Sequence, residues 1–140
     1  MHEPVTAHPA GRVPGRRYKS LGLFLTNLVA PAYGRQVAVR NDIVWCPEPW
    51  KHPGAAERLV AMWHAYEGAL RSPEESALSM WWLDADAHMR ALMDHAGEFS
   101  LCHKGHKTTL EPLPLNLDAA PPELFAEVTR QPATVTDTAA

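Results

Sequence analysis

All five tryptophans (Trp45, Trp50, Trp63, Trp81, Trp82) and both cysteines (Cys46, Cys102) lie between residues 45 and 102, whereas seven of the 13 prolines fall in residues 1–19 and 114–140. Only large apolar side chains can offset the entropy of ordering a chain, and the proline-rich ends have few of them. The distribution predicts one globular domain over residues 20–113. Before it stands a disordered arm over residues 1–19; after it comes a Pro/Ala/Thr-rich tail over residues 114–140, with a short helix at 122–128. Charge divides the same way. Residues 1–40 hold six Lys/Arg and one Asp/Glu, residues 41–100 four and ten, and residues 101–140 three and five, so the net charge of −3 conceals a basic start beside an acidic body. No apolar run approaches the ~20 residues of a membrane span. No apolar stretch precedes a small-residue cleavage site in the first 19 residues, so no secretory signal is expected.

The periodicity predicts a mostly helical α+β domain: three to four short helices and a minor β hairpin, its ends clipped together by a structural zinc. Ser20 can cap a helix with Leu21, Phe24, Leu25 and Leu28 on one face, which Pro31 should end near Val29. The β-branched run Val37–Trp45, broken by the turn-like pair Asn41-Asp42, predicts the hairpin. The longest helix follows Pro53, with an apolar stripe at Leu59, Met62, Trp63, Tyr66, Ala69 and Leu70 and a solvent face bearing an i,i+4 pair of Glu67 and Arg71. Ser72-Pro73-Glu74-Glu75 reads as a capping box starting a second helix to Leu83. Asp84 or Asp86 would cap a third, burying Met89, Leu92 and Met93 and stopping near Gly97. Residues 98–102 and 108–110 read as short strands around the turn Cys102–Lys107.

Two Cys/His knuckles carry the candidate chemistry. Cys46 and His52 are separated by five intervening residues in a loop stiffened by Pro47, Pro49 and Pro53; Cys102 and His106 are separated by three, in a turn containing Gly105. Thiolate and imidazole suit zinc, which takes four such ligands in a tetrahedron, better than oxygen-seeking calcium or magnesium. His103 competes with His106 as the fourth ligand, and His106 gives the less cramped chelate. The competing readings are four unrelated positions, with Cys46 a small buried hydrophobe and His52 a polar helix-start residue, or a Cys46–Cys102 disulfide. A zinc with four protein ligands has no open position for water, so the expected site is structural. A metal-dependent hydrolase or nuclease with His103 as base is the alternative.

Asp84, Asp86, His88, Asp94 and His95 do not share one helical face, so they form no predicted acid–base cluster. No phosphate loop, dinucleotide fingerprint or nucleophile elbow occurs. Of the adjacent Trp81 and Trp82, one should be core and the other partly exposed, where it could meet a protein partner. Trp45 and Trp50 flank the first knuckle and should shield it. Arg12, Arg16, Arg17 and Lys19 could contact nucleic-acid phosphates, with a solubilising tail as the plainer role, and the 122–128 segment could dock on a protein partner.

The ordered series Tyr33-Gly-Arg35, Trp45-Cys46, Trp50, His52-Pro53, Arg58-Leu59, Met62-Trp63, Tyr66-Glu67, Met80-Trp81-Trp82, Gly97-Glu-Phe99 and Cys102 with a following histidine resembles a domain-of-unknown-function family of small actinobacterial proteins. Such proteins tend to be encoded in genomes, conjugative plasmids and phages. The chain departs from the family's pattern at Glu98, where proline is usual. The resemblance implies a cytoplasmic protein of mobile-element character and makes Cys46, His52, Cys102 and a nearby histidine one recurring constellation. It implies no known activity. Together these readings predict a zinc-stabilised, non-enzymatic binding or regulatory module.

Overall fold

The computed structural model describes residues 15–107 and 112–128. The expectations placed on Arg12 and on a strand at 108–110 fall outside those residues. The chain divides between Leu110 and Glu111 into two units.

Three helical bodies build the first unit. The first is continuous: α1 (Leu21–Phe24), a π turn (Leu25–Val29) and α2 (Ala30–Val39). Ser20 starts it as expected, its Oγ accepting from the Leu23 N–H at 3.1 Å. The expected stop near Val29 does not occur. Proline has no N–H for the carbonyl four residues back, and its ring crowds that carbonyl. The wider π turn relieves this conflict just before Pro31, with the Ala30 N–H bonding to Leu25 O, and the helix resumes.

The predicted hairpin over 37–45 is also absent. Val37 and Val39 finish α2, and a fork from Arg40 to Asp42, at 2.9 and 2.7 Å, closes the corner after it. The rest of the run is extended but meets only the end of a helix, through an isolated bridge from Ile43 to Asp94 and a Val44 N–H to Met93 O bond of 2.8 Å. Nor do residues 98–102 form a strand. Their N–H groups reach back three residues instead, Ser100 to Gly97 O and Cys102 to Phe99 O, making successive turns. Among the described residues the fold is helical without strands.

The long helix forms as α3 (Pro53–Arg71) and buries Leu59, Met62, Trp63 and Tyr66 as predicted, but the stripe ends there: Ala69 is half-buried and Leu70 in the last turn is exposed. The two helices expected after it are one, α4 (Ala77–Met93). Asp84 and Asp86 lie in its interior rather than at a start. The Ser72 hydroxyl spends itself on the Glu74 N–H at 3.1 Å, a local turn that leaves the helix to begin at Ala77. Asp86 accepts from the Tyr33 hydroxyl at 2.7 Å, tying α2 to α4. Tyr33→Phe should cost about 1–2 kcal/mol, read as a lower urea midpoint at unchanged slope; an unchanged midpoint would show that water replaces the bond.

Phe24, Tyr66 and Trp81 form an aromatic cluster, with Tyr66 and Trp81 ring centroids 4.8 Å apart, and the Trp81 indole N–H donates to Met62 O at 2.9 Å. Trp81 is therefore core, while Trp82 is half-buried against Tyr33. One part of the start of the chain is held by side chains. Glu67, read from periodicity as a solvent-face residue, is only 2% exposed. Its carboxylate accepts from the N–H groups of Arg17 and Tyr18 at 2.8 and 3.0 Å, and the Trp63 indole donates to Tyr18 O at 2.9 Å. Residues 15–19 thus lie as a strap across α3. In the second unit, 3₁₀ turns occupy Leu117–Ala119 and Pro122–Phe125, so the helix expected at 122–128 is one short turn. Pro121 and Pro122 withhold two N–H groups where a helix would nucleate.

Candidate metal centre

The first knuckle descends from the extended segment after α2. Pro47 and Pro49 stiffen the loop, a 3₁₀ turn spans Pro49–Lys51, and His52 becomes the residue that precedes the first turn of α3. Cys46 is fully buried and its sulfur accepts from the Glu48 N–H at 3.4 Å. The second knuckle follows α4 through the turns at 94–101. There Gly105 adopts φ +105°, a conformation open to glycine but strained for other residues, and reverses the chain between Cys102 and His106. The Cys102 sulfur accepts from the Lys107 N–H at 3.4 Å.

The knuckles meet. One ligand-type atom from each of Cys46, His52, Cys102 and His106 lies within 4.8 Å of all the others. Cys46 Sγ is 3.3 Å from His106 Nδ1, and Cys102 Sγ is 3.5 Å from His52 Nε2, so each cysteine faces the histidine of the other knuckle across one small space. The imidazoles of His52 and His106 stand edge to face, 4.8 Å apart. Of the two competing histidines it is His106 that joins the group; His103 is exposed. Both cysteines are free thiols. No other group of three or more potential ligands converges among the described residues. Asp86 and His88 are engaged separately, with Tyr33 and Arg58, and Asp94 bonds the Ala96 N–H.

The surroundings are apolar. Phe99 is fully buried and packs edge-on against both Trp45, at 5.2 Å, and His52, at 5.0 Å. Trp45 thus reaches the site through Phe99, which packs on His52, while Trp50 is 57% exposed. Burial pushes the Cys46 thiol up to about 11 and moves His52 below its ordinary range. Both shifts disfavour charge on an isolated side chain, while the Glu48 N–H aimed at the Cys46 sulfur favours its thiolate.

Glu98 is the residue that pattern reading missed. Its carboxylate accepts from the Gly54 N–H at 2.8 Å and lies where a Cβ on Gly54 would stand. A residue at the head of a helix ordinarily turns its side chain back onto those first N–H groups. His52 cannot, because its imidazole points at Cys102, and Glu98 arrives from the other knuckle to do so. The signal was present: a helix opening His52-Pro53-Gly54 has no capping side chain of its own and needs an acceptor from elsewhere. Gly105→Ala should cost about 1–2 kcal/mol through backbone strain alone, since nothing lies within 4 Å of the added methyl. The urea midpoint reads this; an unshifted midpoint would mean the turn adjusts freely.

Comparison with known proteins adds one finding. A family described as Domain of unknown function (DUF4913) matches residues 18–121, from the strap through both knuckles. No curated protein and no solved structure matches the chain.

Proposed function

We propose that this chain, which belongs to the DUF4913 family, is a zinc-clipped helical module that works by binding a partner, not by catalysis. The reading rests on one observation, the closure of Cys46, His52, Cys102 and His106 around a common point. A tetrahedral zinc with sulfur at ~2.3 Å and nitrogen at ~2.0–2.1 Å sets neighbouring S and N ligands about 3.5 Å apart. The two sulfur–nitrogen separations, 3.3 and 3.5 Å, agree with that. Two thiols and two imidazoles, with no carboxylate among them, are the donors zinc takes and calcium or magnesium refuse. Zinc bound there supplies cohesion: the ligands come from two segments 60 residues apart in sequence at the widest.

A catalytic zinc keeps a position open for water, and four protein ligands leave none. His103, the base a hydrolase would need, stands outside the group. The mobile-element setting implied by the resemblance fits a small binding protein of this kind.

Protein purified without an affinity tag should contain about one zinc per chain, and cobalt substitution should give the absorption of a tetrahedral thiolate site. His106→Ala should abolish the stoichiometric metal and His103→Ala should leave it. Folded, metal-free protein, or metal held equally well by His106→Ala, would overturn the reading.

A further inference from the structure

The acidic body carries one cationic face. Arg58, Ala61, His64, Ala65, Gly68 and Arg71 recur three or four residues apart along the exposed side of α3. The strap over this helix adds Arg16, Arg17 and Lys19, and residues 15–19 contain no carboxylate. Of the two glutamates in α3, Glu67 is turned inward onto the strap's N–H groups, whereas Glu57 is exposed on this same side, one turn before Ala61. None of the five Arg/Lys side chains pairs with a carboxylate within 4 Å among the described residues; the ion pairs there are Arg40–Asp42, Lys51–Glu48 and His95–Asp94. Arg16 is instead fixed by a 4.9 Å stack on Trp63 and a 2.7 Å bond to His64, and Arg17 lies 5.5 Å over the Tyr18 ring. These guanidinium groups are held in place without a direct ion pair.

We infer that this face binds the phosphate backbone of duplex DNA without reading its sequence. Arg58 and Arg71 are 13 residues apart, about 20 Å along the axis and about 140° apart around it, so they stand at opposite ends and on opposite flanks of the exposed side, Arg58 beside His88 of α4 at 2.9 Å. Between them Ala61, Ala65 and Gly68 keep the surface low, so a backbone can approach the helix while arginines on both flanks reach it. Guanidinium matches phosphate oxygens through its planar fork, and arginines already oriented lose less side-chain freedom on binding. The inference is independent of the metal reading, because no residue of the face belongs to the Cys/His group.

The test is fluorescence anisotropy of the full chain with a short random-sequence DNA duplex over a salt series. Binding should weaken steeply with salt, with a log–log slope of about −4.5 if the five cations engage five phosphates. Arg16→Ala with Arg17→Ala, and separately Arg58→Ala with Arg71→Ala, should each reduce the slope by about two. Arg35→Ala with Lys104→Ala, an equal charge change elsewhere on the surface, should leave the slope unchanged. Circular dichroism checks that each variant folds. Absence of binding at low salt, equal losses from the control pair, or attachment to phosphatidylserine vesicles but not to the duplex would each overturn the inference.

Discussion

Stripping the metal with a strong chelator should lower the stability of this protein by at least about 5 kcal/mol, which for a domain of this size is a fall of roughly 20–40 °C in melting temperature. Structural zinc in small domains supplies about 10–16 kcal/mol of apparent free energy, comparable to the whole net stability of a typical fold. The segments it would join have little else. Residues 43–52 and 94–107 contain no helix beyond one 3₁₀ turn, and their ties to the helices are few: an Ile43 bridge to Asp94, Val44 to Met93, and Glu98 to Gly54. Phe99 and Trp45, packed on each other and on His52, would lose their place with the clip. The cluster of Phe24, Tyr66 and Trp81 lies among the helices and should hold residual helicity, so circular dichroism at low temperature should fall less than the melting temperature does. Cys102→Ser should reproduce the chelated protein. A melt unchanged by chelation and by this substitution would show that apolar packing alone holds the knuckles.

The four Cys and His residues that converge were legible in the sequence as a candidate set because their signal is chemical and local. Each knuckle pairs one Cys with one His inside a stiff loop or a glycine turn, and few other side chains could compete. What the sequence could not show was that the knuckles meet, which depends on α3 and α4 packing as an antiparallel pair. The long helix was legible for a different reason: its apolar stripe runs unbroken for several turns. The errors fall where a strong local signal met tertiary demands. Pro31 is a helix breaker by rule, yet a π turn accommodates it. Val37 and Val39 have high strand propensity, yet they have no neighbouring strand and stay helical. Asp84 and Asp86 resemble caps, but α4 passes through them because Trp81, Ala85 and Met89 continue one buried stripe.

Glu67→Ala should cost about 3–4 kcal/mol and free the strap. Alternation along α3 placed Glu67 among solvent residues, since nothing local distinguishes it from Glu57. Its partners are the backbone N–H groups of Arg17 and Tyr18, some 50 residues earlier. Removing the carboxylate leaves two part-buried donors without acceptors, each worth about 1–3 kcal/mol. The loss spreads, because the same strap covers Trp63 with Arg16 and gives its indole N–H an acceptor at Tyr18 O. Glu67→Gln keeps one acceptor oxygen but sets an NH₂ against the other donor, so it should lie between wild type and Glu67→Ala. Limited trypsin digestion separates a local effect from a global one. In the native protein the bonds after Arg16 and Arg17 are held against α3 and should resist cleavage, whereas in Glu67→Ala they should be cut while α3 and α4 remain intact. Wild-type stability together with a wild-type digestion pattern in Glu67→Ala would show that the strap is held by Tyr18 and Trp63 without the carboxylate.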